Sequence, residues 1–210
     1  MDFLKLAKIW GDVTYAFLAA NLLWGLFCAI VVWRRLAQLK FASEELQHQF
    51  VSDQENSLAM GDFDGAAAQC ENDSRALPQL TLLAINNRKL GHAKLRQLVA
   101  DHFQRDVLAD LENRVSWLVT VIKAGPLLGL YGTVMGMMAA FGQIGTGAAV
   151  KNTDIANEIS VALICTALGL TTAIPFTFIV ANVTIKIRKL QDMVGLGLSR
   201  ILDVFRTLST

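Results

Sequence analysis

The stretch KAGPLLGLYGTVMGMMAAFG, Lys123 to Gly142, is uncharged after its first residue and spaces Gly125, Gly129, Gly132 and Gly136 at gaps of 4, 3 and 4. An α-helix turns once every 3.6 residues, so the four glycines share one side of it. Such a smooth side lets a second backbone come close, which is how helices pack in lipid, where no hydrophobic drive acts between them. Thr133 lies at the edge of this surface, in the series Gly129, Thr133, Gly136, Ala140.

A second stretch, ISVALICTALGLTTAIP, Ile159 to Pro175, repeats the design, with Ala162, Thr166, Gly169 and Ala173 again at gaps of 4, 3 and 4. Two readings fit the pair. The faces pack as an ordinary hairpin, each threonine donating to its own i−4 carbonyl, or they present Thr133 and Thr166 to a shared partner as a polar track for an ion.

Outward from these stretches the chain reads as a membrane protein. It has 210 residues, 53% of them hydrophobic and 18% charged, and a mean hydropathy of +0.42. A helix needs about 20 apolar residues to span the hydrocarbon core, and three segments qualify: residues 15–33, 117–141 and 155–185. The first is bounded by Tyr15 and Trp33, aromatic residues suited to the interface. The third is uncharged from Ile159 to Ile185, long enough to tilt or to project beyond the bilayer, and Pro175 is expected to kink it. The N-terminal run ends at Arg34-Arg35 without an A-x-A pattern and reads as a retained anchor.

Residues 34–116 hold ten Lys/Arg and the tail from Lys186 holds five, whereas the hairpin 142–154 holds only Lys151. That bias puts loop and tail in the cytoplasm, residues 1–14 and the hairpin in the periplasm, and the first helix N-out. Lys5 and Lys8 weigh weakly against it. Loop residues 34–116 show no strand alternation and read as helices. Asp62 or Asp64 suits an N-cap, Pro78 a first turn, and a longer helix begins near His92. There Leu108, Leu111, Val115, Leu118 and Ile122 recur at gaps of 3 and 4 and run into the second span. In the tail, residues 186–210, Ile187, Leu190, Val194, Leu198, Ile201, Phe205 and Leu208 continue the pattern. The loop is too polar to stand alone, so the tail or neighbouring subunits complete its core. The fold class is therefore all-α: three transmembrane helices extended into a cytoplasmic helical bundle.

The net charge of +1 gives no field for nucleic acid. Cys28, Cys70 and Cys165 fit no zinc or CxxC spacing and read as structural. His48, His92 and His102 all fall in the loop, far from Ser160, so an intramembrane enzyme has no catalytic set. No P-loop or dinucleotide motif occurs, so catalytic residues, cofactors and metals are not expected, and the membrane gradient remains as energy source. Buried charge is costly in a membrane and few carriers exist. Lys123 can snorkel from the end of its span. Glu158 reads equally as an acid at a helix N-terminus, favoured by the macrodipole, or as an outer vestibule for cations.

Gly125–Phe141 followed by Ile159–Pro175 resembles the signature pair of the MotA/TolQ/ExbB proton channel family, and LAMGDFDGAAAQC, Leu58 to Cys70, resembles its cytoplasmic loop motif. Three spans match ExbB and TolQ rather than the four of MotA. The resemblance implies a stator subunit in the bacterial inner membrane, a pentamer enclosing the single-span helices of an ExbD/TolR-like partner. The partner's aspartate would take up and release protons, with sodium the alternative ion. On this resemblance Thr133 and Thr166 face that aspartate. At Val161 the sequence departs from the glutamate common in ExbB and TolQ, with Glu158 one turn outward. The alternative reading is a passive oligomeric scaffold that recruits cytoplasmic partners.

Overall fold

The computed structural model describes residues 3–145 and 152–208. The turn of the expected hairpin, Lys151 included, lies outside the described residues. Among those described every regular element is helical. Helix α1 runs Phe3–Leu39, α2 Glu44–Ala59, α3 Phe63–Ala68, α4 Ala76–Asn86, α5 His92–His102, α6 Ala109–Gly145 and α7 Asn152–Leu208. A 3-10 turn, Arg88–Leu90, precedes α5, and a π-helical turn, Phe103–Leu108, joins α5 to α6. Three continuous helical stretches are long and apolar enough to cross a membrane: Val13–Leu39, His92–Gly142 and Ile155–Arg206. Pro126 lies inside α6 and Pro175 inside α7, and neither ends its helix. Each removes one N–H from the helical ladder.

The chain divides into two compact units. The first consists of the chain up to Ile30 and Val115–Asn182. In it α6 runs antiparallel to α7, because contacts pair Gly125 with Gly169, Gly129 with Cys165 and Gly136 with Ala162. α1 runs antiparallel to α6, with Trp24 edge-on to Trp117 at 6.2 Å and the Asn21 amide donating to the Val121 carbonyl at 3.2 Å. Its interior combines small residues, Ala139, Ala140, Ala162 and Ala173, with Leu18, Leu118, Val121 and Phe176, while Phe17, Leu23, Leu127, Phe141, Leu163 and Phe178 are exposed. So many large apolar side chains on the outside suit a lipid surround.

The second unit consists of Val31–Arg114 and Val183–Thr210 and buries large side chains, among them Leu58, Leu77, Leu80, Leu95, Leu111 and Ile201. The tail completes this core, as the polarity of the loop requires. A Cβ at Gly197 would lie 2.8 Å from Leu77 and 3.2 Å from Val51, Phe205 stacks on Phe63 at 6.3 Å, and the Gln47 amide donates to the Met193 carbonyl at 2.7 Å. Asp62 caps α3, its Oδ1 accepting from the Gly65 N–H at 2.9 Å. Asp110 accepts from both Arg35 (3.2 Å) and Arg114 (3.0 Å).

Candidate functional site: the threonine pair in the α6–α7 hairpin

The site begins with an approach that only glycine permits. A Cβ on Gly129 would lie 2.8 Å from the Cys165 carbonyl oxygen and 2.9 Å from the Thr166 Cα, and one on Gly169 would lie 2.5 Å from the Gly125 carbonyl oxygen. Backbone therefore packs on backbone, and side chains flanking the contact are held within bonding distance across it. A Cβ on Gly136 would lie 2.5 Å from the Ala162 side chain, and one on Gly132 would meet the side chains of Cys165 and Thr14. All five glycines named from their spacing lie at helix contacts.

At this crossing the Thr133 and Thr166 hydroxyls are 3.1 Å apart. Thr166 donates to the Gly129 carbonyl of the opposite helix at 3.0 Å. Thr133 lies 2.7 Å from the Leu130 carbonyl and 3.2 Å from the Gly129 carbonyl of its own helix. Thr133 is buried, 6% exposed, and Thr166 half-buried. Each hydroxyl has one proton and two acceptor lone pairs, so with the protons placed on carbonyls the oxygens keep acceptor capacity. The Gly129 carbonyl also takes the i+4 backbone N–H of Thr133, so withdrawing the Thr166 proton does not orphan it. The pair can thus change direction at little cost, in a segment with no charge between Ala124 and Phe141 or between Ile159 and Ile185.

Glu158 is half-buried and lies six residues beyond Asn152, where α7 begins. The macrodipole acts within the first turn, so an end-of-helix explanation does not fit it. Val161 is 44% exposed, and the Tyr15 hydroxyl donates to its carbonyl at 3.0 Å. Lys123 is exposed. Among the described residues no group of three or more His, Cys, Asp or Glu is arranged to hold a metal.

Two polar members of this unit had no counterpart in the sequence reading. Asn21 is an amide in mid-span whose donor is held by a backbone carbonyl of α6, and Thr172, donating to the Gly169 carbonyl at 2.8 Å, lies beside Gly125. A lone amide in an uncharged span was the available signal for Asn21, since such a group must find a partner in lipid.

The family model described as MotA/TolQ/ExbB proton channel family matches residues 78–194, more than half of the chain. Over 101 residues the chain is 34% identical to the Tol-Pal system protein TolQ of Haemophilus influenzae, covering 48% of this chain and 42% of that protein. Over 84 residues it is 38% identical to the biopolymer transport protein ExbB of Aquifex aeolicus, covering 40% and 57%. Over 143 residues it is 33% identical to the biopolymer transport protein ExbB of Pseudomonas putida, covering 67% and 40%. The chain thus spans about half the length of the curated relatives it matches.

Proposed function

The chain belongs to the MotA/TolQ/ExbB proton channel family, and from that membership together with the threonine pair we propose that it is the stator subunit of an ion-driven motor. In this reading it sits in the bacterial inner membrane as a pentamer around the single-span helices of an ExbD/TolR-like partner, and it converts the proton gradient into work on the envelope. The Lys/Arg bias supports a periplasmic N-terminus and a cytoplasmic loop and tail. Outer-membrane transport, envelope maintenance and motility are the processes such a motor serves.

The observation that carries the proposal is the hydroxyl pair sharing the Gly129 carbonyl in an uncharged hairpin. A protonated carboxyl brought to this pair donates to a threonine oxygen. An ionised one accepts the proton that Thr166 withdraws from Gly129. The pair therefore offers a hydrogen bond to either state of a moving acid without supplying charge of its own, and the carboxylate comes from the partner. Glu158, two turns into α7, belongs to the outer approach of the ion in this scheme.

The test is co-expression with the partner and measurement of proton flux in reconstituted vesicles. Thr133→Val and Thr166→Val should each abolish flux while the complex still assembles, and normal flux in both would remove the track. Flux that requires sodium would change the ion and keep the mechanism. A passive scaffold is the second reading, favoured by the hydroxyls already being bonded within the hairpin. It demands tolerance of both valine variants together with sensitivity to Gly132→Leu.

A further inference from the structure

Within the second unit, α2, α7 and the turn between α1 and α2 line an open cavity of about 230 Å³ whose wall includes Lys40, Ser43, Glu44, Gln47, Lys186 and Lys189. Three lysines and one glutamate line it. Glu44 is already engaged, 2.5 Å from Lys189, and that ammonium holds its carboxyl below the usual carboxylate range. Lys40 and Lys186 have no ion-pair partner among the described residues. The cavity wall therefore carries two uncompensated positive charges.

The position of these charges says what neutralises them. Lys186 is the first charged residue after the uncharged run that ends at Ile185, and Trp33 is the last residue before Arg34-Arg35. The two meet, with the Lys186 Nζ 3.8 Å from the Trp33 ring centroid. A lysine stacked on tryptophan where two apolar helices leave the hydrocarbon stands at headgroup depth, where tryptophan and lysine are both favoured. The Lys40 stem and Phe41 supply apolar wall beside it. Anionic lipid is the abundant negative charge at that depth.

We propose that this cavity binds the phosphate headgroup of an anionic phospholipid, with Lys40 and Lys186 as the charged contacts and Trp33 positioning Lys186. The full-length protein, purified in detergent and exchanged into nanodiscs of phosphatidylcholine with increasing phosphatidylglycerol, would be released and its retained lipids counted by native mass spectrometry. Wild-type protein should retain phosphatidylglycerol over phosphatidylcholine. Lys40→Gln/Lys186→Gln should retain it about thirtyfold less, the order expected when two lysines are lost from an anionic surface. Lys40→Arg/Lys186→Arg should keep it, and Lys89→Gln/Lys94→Gln, the same loss of charge on other elements, should leave retention unchanged. Circular dichroism checks that each variant is folded. Equal retention of both lipids, or unchanged retention in the double glutamine variant, overturns the proposal. Inorganic phosphate bound by lipid-free protein with the same lysine dependence, without retention of phosphatidylglycerol, overturns the lipid and leaves a site for a soluble anion.

Discussion

Around Gly129 two helices touch through backbone, and a single added carbon would lie 2.8 Å from a carbonyl oxygen. Around Leu80, which is 1% exposed, the interior is filled by leucine, isoleucine and valine. The first unit puts small residues at its closest helix crossings and leaves many large apolar ones outside, whereas the second buries most of its leucines. One chain uses both solutions because its surroundings differ. Water rewards burying bulk, whereas lipid is as apolar as leucine and rewards close contact and satisfied polar groups.

The sharpest way to break that contrast is to add bulk where contact is closest. Gly129→Leu should prevent the hairpin from forming, read as loss of monodisperse protein after extraction, while Gly195→Ala, whose Cβ would meet nothing within 4 Å, should be neutral or stabilising by up to about 1 kcal/mol. Removing bulk should discriminate the units the other way. Leu80→Ala should cost about 2–5 kcal/mol in denaturant unfolding, whereas Leu127→Ala, at a side chain 65% exposed, should leave the extracted protein's stability nearly unchanged. Equal costs at both leucines would mean that the first unit packs like the second. Asp62→Ala removes the α3 cap and should cost about 1 kcal/mol, seen as faster hydrogen exchange from Phe63 to Ala68.

The smallest expected effect concerns Asp73. Hydrogen bonding to Arg75 holds its carboxyl below the usual carboxylate range. A carboxyl lowered in the folded state adds stability above its unfolded pKa, about 3.9, and that stability is lost as pH falls through the folded value. Exchange protection at the start of α4 should fall below about pH 4 in the wild type, and Asp73→Asn should flatten that dependence. Burial pushes the nearby Cys70 thiol up to about 12, so it should resist alkylation at pH 8 in the folded protein.

Much of this was legible because local rules carried it. The glycine and alanine gaps marked the faces that meet, and the absence of charge marked the helices able to cross a membrane. Asp62 or Asp64 was recognisable as a cap from its place before a short helical run, and the need for the tail or neighbouring subunits to complete the loop's core followed from the loop's polarity. What stayed hidden depended on partners distant in sequence. Nothing local tells that the Thr133 and Thr166 hydroxyls reach each other across 33 residues, that Tyr15 bonds the carbonyl of Val161, or that Gln54, 0% exposed, donates to the Ala66 carbonyl and to Gln69 inside the second unit. Of the two readings of Glu158, the one that placed it at a helix N-terminus took helix and span to begin together. α7 starts at Asn152, so the acid belongs to a helix body.

The π-helical turn at Phe103–Leu108 works as a phase correction. Leu95, Val99, Phe103, Val107 and Leu111 are all buried and fall at uniform steps of four, a spacing that in an ideal α-helix advances about 40° per step and would carry the last of them to the opposite side. A turn closed by i→i+5 bonds takes more residues to complete a circuit, so a four-residue step through it no longer overshoots. Like a leap day, the surplus residue returns a drifting calendar to its season, and five side chains keep one bearing across a junction where strict α-geometry would have turned the later ones outward.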